Sequence, residues 1–503
     1  MERILESRCF PDLRRGRLRL RAGRIAGWVP LPDQPPAEDP LPPESWRLPD
    51  DVSVLPGFVD GHTHLLGVGL ARLRPDLEGS ASREEALERV RSWLAAHPGD
   101  GPVIGEGWDE SLWPDGAPPT RRDLDGISPR RPVALRRVCG HAAVLNRAAL
   151  ELVGGDWPNV DLESGMARES LALSLSRIWA PGAEQLATAL EIAQAEALRR
   201  GVTSIQEMGR ATSFRVFGRA SAEGRLRIRV SHFFQSGEID TLEKSGLACG
   251  FGDARLRVAG LKLFLDGSIG ARSAAFRIPY PEAAGNRSAG SGLLLWEDAD
   301  LLEFLERASD ADLPVAIHAI GDRAIEQAIH CVEETRRRGK APAPPGARLE
   351  HAEALAPDLL ERASEAGFRF SMQPNFTARW QGPGELYEQV LGRERSLRLN
   401  PYDAARRTGR LHFGSDCMPL DPLLGLRGAL GHPDGEQRLP FREAVEAYTS
   451  TAATAVRRPF GQATLGEGEP ADLVAIRMPP NGSPGDTLAG ARVVATWVDG
   501  ALG

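Results

Sequence analysis

Disulfide pairing, membrane insertion and attraction to polyanions are each disfavoured by what this sequence lacks. Cysteine is scarce: five among 503 residues (Cys9, Cys139, Cys249, Cys331 and Cys417), an odd number with no C-x-x-C spacing. That usage excludes a disulfide framework and fits a reducing compartment, so the cytoplasm is the expected location. No apolar run approaches the roughly 18 residues of a membrane span. The opening stretch, Met1 to Arg8, has no apolar segment suited to a signal peptide, so the chain is read as soluble and unprocessed. Positive charge is in deficit, with a formal net charge of -8 and a pI near 5.8. No overall field therefore draws in nucleic acid or an anionic membrane. A small-molecule substrate is the expected partner, and oligomeric state is left open, a homodimer included.

What is present is ordinary globular composition, 42% hydrophobic and 26% charged, enough for one large domain with appendages. Near the start, Leu18 and Leu20 alternate with Arg17, Arg19 and Arg21, the period of a half-buried strand. In an acidic chain the arginine face reads as solvated rather than as a nucleic-acid stripe. Gly23 to Gly27 reads as a hairpin turn, and Pro30 to Pro43 as a proline-rich surface connector. At the far end, Ala471 to Ile476 and Ala491 to Val498 are rich in β-branched residues. Neither terminus has strands enough for a core alone, so residues 1–55 and 459–503 are expected to form one small β-sandwich domain.

Between the termini, eight short apolar runs alternate with helical patterns: Leu55 to His64, Gly201 to Met208, Arg225 to Phe234, Val258 to Asp266, Leu313 to Ile320, Arg348 to His351, Phe368 to Gln373 and Arg410 to Asp416. Glu184 to Arg200, Asp298 to Ala308 and Arg323 to Arg338 carry helical periodicity. Eight β/α units predict an α/β fold, a TIM (β/α)8 barrel over residues 56–458. The stretch between His64 and Gly201 is far longer than a loop and helix need. Residues 70–183 are therefore expected to be an insertion after strand one, roofing the barrel's carboxyl end, with strands at Gly101 to Glu106 and Pro132 to Val138.

Chemistry-bearing residues collect at the ends of these runs. His62 and His64 share a strand face, as metal ligands would, although two polar residues at a loop mouth would look the same. Lys262 lies in strand four, His318 ends strand five, His351 strand six and Asp416 strand eight. Imidazoles with a carboxylate suit zinc, with manganese, iron or cobalt as substitutes. Glu207 and Gln373 end strands two and seven and are expected to face the site as ligand, proton carrier or hydrogen-bond donor.

The segments His-Thr-His at 62–64, Lys-Leu-Phe-Leu-Asp-Gly-Ser at 262–268, His-Ala-Ile-Gly-Asp-Arg-Ala at 318–324, Leu-Glu-His-Ala at 349–352 and Gly-Ser-Asp at 414–416 resemble the amidohydrolase superfamily. Within it they are most similar to amidohydrolase family 3, the branch that includes N-substituted formamide deformylases. The resemblance runs from Pro56 to about Val474. It implies a first metal on His62, His64 and Asp416 and a second on His318 and His351. It further implies that Lys262, if carboxylated, bridges the two; the alternative is an ammonium paired with Asp266 or Glu207 and a single metal. Hydrolysis of a non-peptide C–N bond in an amide or an N-acyl or N-formyl amine is the implied reaction. Metal-bound hydroxide, formed because the ion lowers the pKa of water towards ~7, would attack the carbonyl while Asp416 acts as general base. A cyclic amide hydrolase or hydrolytic deaminase is the alternative enzyme, and a catalytically silent metal- and ligand-binding protein the alternative of another class. Among expected substrate contacts, Arg323 meets a carbonyl or carboxylate or else pairs with Asp322 or Asp266. His141 matches a family Asp-Gly-His segment, with Cys139 in place of the aspartate. Trp108, with Asp109 and Trp113, forms either a pocket wall or the insertion's own core. Ten tryptophans suggest an apolar or aromatic substituent on the substrate.

Overall fold

The computed structural model describes residues 2–32, 41–138, 140, 142–282, 290–343, 346–478 and 488–503. Alternating burial along the terminal segments draws them into one sheet. Its strands run in the order Ala501–Leu502, Arg492–Val498, Leu473–Arg477, Val52–Pro56, Glu2–Cys9, Arg14–Arg21 and Arg24–Pro30, with Trp46–Arg47 paired to Glu2–Cys9. Both termini contribute, and Val52–Pro56 pairs antiparallel with Leu473–Arg477. The strands follow one continuous hydrogen-bonded path. Leu18 and Leu20 are buried with Trp497 and Val54. On the opposite face Arg15, Arg17 and Arg47 all reach the buried Glu6 carboxylate, so these arginines are engaged within the sheet. The hairpin turn is tighter than Gly23 to Gly27. Ala22 and Gly23 adopt positive φ (51° and 77°), which makes the two-residue turn, and Arg24 to Gly27 already pair with the preceding strand.

Eight parallel strands form the second sheet: Phe58–Thr63, Val202–Gly209, Arg229–Gln235, Leu256–Phe264, Val315–Ala319, Arg348–His351, Arg369–Met372 and Leu411–Phe413. They are called barrel strands one to eight below. Strands one to eight pair in sequence order, with helices such as Ala211–Ala222, Asp298–Asp310, Asp322–Arg337 and Pro357–Glu365 between them. Near-continuous burial along these runs is what a parallel sheet covered on both faces requires. Strands one and eight nearly close the barrel: the Ser415 N–H donates to Asp60 Oδ1 at 2.8 Å and the Asp416 N–H to the His62 carbonyl at 2.9 Å.

The chain divides into two compact units, residues 1–65 with 194–503, and residues 66–193. The second has its own sheet, Val160–Asp161, Met166–Arg168, Ala142–Leu145, Val133–Arg137 and Val103–Trp108, in that order. Ser82 and Thr120 cap its helices Arg83–Ala96 and Arg121–Ile127 by accepting backbone N–H groups. Trp108, Trp113, Leu77 and Val133 share its apolar core. No described helix is long and apolar enough to cross a membrane.

Candidate active site

The carboxyl ends of the barrel strands bring imidazoles and a carboxylate to one point. His62 and His351 are buried, and one donor atom each from His62, His351 and Asp416 lies within 4.8 Å of the others. Asp416 Oδ1 is 3.6 Å from His62 Nε2 and 3.3 Å from His64 Nε2. The His318 ring packs 4.3 Å from that of His351, with Nε2 turned to the Gly267 carbonyl at 3.2 Å. The geometry thus groups His351 with His62 and Asp416, across the two ligand sets that the family resemblance implied.

Backbone conformation makes this gathering possible. Glu350 and His351 are consecutive, so strand alternation would send them to opposite faces. His351 instead has φ 71° and Ala352 φ 49°, and the ring swings to within 4.9 Å of His62. Asp416 and Cys417 are likewise left-handed, at φ 52° and 57°. Non-glycine residues held in this region cost about 1–3 kcal/mol each and cluster at functional sites.

Electrostatics follow from burial and from mutual contact. Burial lowers the His62 pKa, with Lys262 adding to the effect, and burial pushes His318 to about 3. His351 is held well below the usual imidazole range by burial first, with the nearby basic groups His318, His62 and Lys262 adding to the effect. Burial alone would raise Asp416, but His62 and His64 outweigh it and the carboxyl is held below its usual value. For His64 burial opposes the charge, yet Asp416 prevails and the pKa rises. Lys262 is fully buried, its amine lowered to about 8 by burial and its Nζ without a hydrogen-bond partner. The Phe264 ring centre is 4.9 Å from Nζ. The imidazoles of His62, His318 and His351, held neutral, with an ionised carboxylate and an unsatisfied buried amine form a donor set that fits a divalent cation.

The remaining expected residues sort differently. No ion pair joins Lys262 to Asp266 or Glu207 among the described residues. Asp266 instead accepts N–H groups from Ala275, Ile320 and Gly321 at 2.8–3.0 Å, and burial raises it to about 7. Glu207, also raised to about 7 by burial, accepts from the Leu65 N–H at 2.7 Å and the Thr63 hydroxyl at 3.1 Å, holding the backbone that carries His64. Gln373 is buried beyond strand seven, with Oε1 unpartnered. Asp322 accepts the Arg277 N–H at 2.6 Å. Arg323 is exposed on the first turn of Asp322–Arg337 and pairs with neither Asp322 nor Asp266 among the described residues. Trp108 is buried, its indole N–H on the Leu135 carbonyl at 2.9 Å, which is the packing alternative for that residue. His141 and Cys139 lie outside the described residues, as does most of the Pro30 to Pro43 connector.

Sequence reading missed Asp60, Arg348 and Glu350. Asp60 accepts the His62 and Ser415 N–H groups, and burial raises it to about 7. Its place two residues before His62 was the available signal. Arg348 and Glu350 stand at i and i+2 of strand six, a buried charged pair visible only as an interruption of an apolar run.

The model of the family described as the amidohydrolase family matches residues 51–502. The chain belongs to the amidohydrolase family. This amidohydrolase is 27% identical over 472 residues to the protein YtcJ of Bacillus subtilis (strain 168), covering 87% of the chain and 86% of the relative. It is 26% identical over 505 residues to an N-substituted formamide deformylase of Arthrobacter pascens, covering 90% and 89%. A crystal structure of an uncharacterized metal-dependent hydrolase from Pyrococcus horikoshii OT3 superposes with a TM-score of 0.78 at 26% identity, covering 97% of this chain and 99% of the other. The amidohydrolase is thus a TIM-barrel, metal-dependent hydrolase acting on carbon–nitrogen bonds other than peptide bonds.

Proposed function

We propose that this amidohydrolase hydrolyses the amide bond of an N-acyl or N-formyl amine. The observation that carries the reading is the convergence of His62, His351 and Asp416 within 4.8 Å at the barrel mouth, and the similarity to a deformylase agrees with it. His62, His64, His351 and Asp416 would hold one divalent ion, and His318 with Lys262 would complete a second position. Zinc is the ion we assign, because imidazole and carboxylate donors suit it. When bound, such an ion polarises a carbonyl and acidifies water.

Asp416 Oδ1, close to both His62 and His64, takes the proton of the attacking water and returns it to the amine nitrogen as the C–N bond breaks. Without that proton the amine is a poor leaving group. Lys262, with its amine held near 8 by burial, is partly neutral at physiological pH. The free amine could add carbon dioxide with loss of a proton, and the resulting carbamate would offer two oxygen donors to the metal site. Phe264, 36% exposed and 5.1 Å from the His318 ring, offers an apolar surface to the substituent on the amine. The unpaired buried cysteines Cys9, Cys249 and Cys331 agree with a reducing, cytoplasmic setting.

Metal analysis coupled to kinetics on a panel of N-formyl and N-acyl amines tests the reading. About two zinc ions per chain with amine release is the expected result, and a protein that takes up no metal removes the proposal. Equal rates on aromatic and short alkyl amines would remove the role given to Phe264.

A further inference from the structure

Glu350 has no part in the chemistry above, yet its surroundings are closely built. The side chain is fully buried in the barrel, and its two oxygens have separate partners. Oε2 lies 2.6 Å from His62 Nδ1, and Oε1 accepts from Arg348 Nε at 2.8 Å. Arg348, equally buried, donates through one terminal nitrogen to the Gly61 carbonyl at 2.8 Å and through the other to the Gln206 side-chain oxygen. Gln206 in turn donates to the Ala452 carbonyl at 2.7 Å. One continuous line of hydrogen bonds therefore runs from strand six to strands one and two, beneath the histidines.

The chemistry of these groups leaves little freedom. An ionised carboxylate only accepts, so His62 must carry its proton on Nδ1 to make the 2.6 Å contact. The lone pair is then on Nε2, the nitrogen 3.6 Å from Asp416 Oδ1. The guanidinium of Arg348 lets Glu350 remain an anion away from water, because a buried charge persists only when paired and hydrogen-bonded. Arg348 also grips the carbonyl of Gly61, so the same pair fixes both the His62 ring and the backbone entering it. Among the described residues, no other histidine at this point has a carboxylate on Nδ1. His64 meets Asp416 through Nε2, and His318 turns Nε2 to a carbonyl.

We propose that Arg348 and Glu350 are positioning residues that lock His62 in the tautomer presenting Nε2 and thereby set ion affinity at the His62–Asp416 end of the site. This rests on the metal-dependent reading above. A strand-to-strand staple with no such role would leave ion affinity untouched.

Two measurements decide the matter. In the metal-free wild type labelled with 15N-histidine, with His62 assigned by its loss in His62→Asn, the ring should be protonated at Nδ1. A ring protonated mainly at Nε2 overturns the proposal, whether or not any variant folds. In Glu350→Gln, with folding checked by circular dichroism, the zinc dissociation constant from competition with a chromophoric chelator should rise about 10–100-fold. The visible spectrum of the cobalt-substituted protein should also change. Affinity within about threefold of wild type and an unchanged cobalt spectrum would overturn the proposal. A wild-type protein that binds neither zinc nor cobalt would instead overturn the hydrolase reading, with the tautomer still deciding the lock.

Discussion

Asp416 combines a left-handed backbone at φ 52° with an oxygen placed between two imidazoles. The strain is tolerated because the Asp416 N–H is held by the His62 carbonyl and the Ser415 N–H by Asp60. An amide at this position keeps the shape but can neither carry the charge nor accept the proton. Asp416→Asn should therefore lower turnover by at least about a hundredfold, in line with the ~10²–10⁴ supplied by a positioned acid–base group, while the far-ultraviolet circular dichroism stays as in wild type. Activity above about a tenth of wild type would remove Asp416 from this role. Lys262 makes the complementary point. A fully buried amine without a hydrogen-bond partner costs stability, so its presence argues for a bound group that satisfies it.

Loops at the barrel mouth are tied down by single side chains that serve several backbone groups. Asp266, just past strand four, accepts three N–H groups from Ala275, Ile320 and Gly321, joining its own loop to the one after strand five. Asp266→Asn must turn an amide N–H2 toward at least one of those donors. A loss of about 1–3 kcal/mol in urea unfolding is expected, and an unchanged midpoint would show that the clamp does not matter. At the other end of strand three, Arg229 donates to both carboxylate oxygens of Asp472 and to Asp499, linking barrel and terminal sheet. Arg229→Met leaves Asp472 without its cation. Removing one partner of a buried pair costs about 3 kcal/mol, and an effect below about 0.5 kcal/mol on the same urea scale would contradict that weight.

At the scale of the molecule, buried titratable groups bound the pH range in which the metal-free protein is most stable. His232 is enclosed by Phe214, Phe217 and Phe234, and burial pushes it from 6.5 to about 3. Between those values the unfolded chain binds a proton that the fold does not. The contribution of His232 is complete above pH 6.5 and is lost as pH falls through that window, by about 1.4 kcal/mol per unit. Glu353 acts in the opposite sense, since burial raises it from 4.5 to about 7. The fold keeps a proton that the unfolded chain has released, so this benefit is complete below 4.5 and is lost as pH rises to 7. Melting temperatures measured across pH should show His232→Phe flattening the acid limb and Glu353→Gln the alkaline one; parallel profiles for all three proteins would refute the assignment. Much of this molecule was nevertheless open to reading along the chain. Eight apolar runs at βα spacing, with histidines, a lysine and an aspartate at their ends, dictate a barrel and its chemistry, because burial on both faces and metal ligation each demand particular residue types at particular intervals. The two-residue turn at Ala22 and Gly23 and the choice between pocket wall and core for Trp108 were not legible, since pairing partners and burial depend on segments distant in sequence. The same holds for the site. Residue types picked out candidate donors, but only the left-handed turns at His351 and Asp416 and the buried line from Arg348 through Glu350 decide which nitrogen and which oxygen meet, because tautomer and ring direction are set by contacts that form after the strands have assembled.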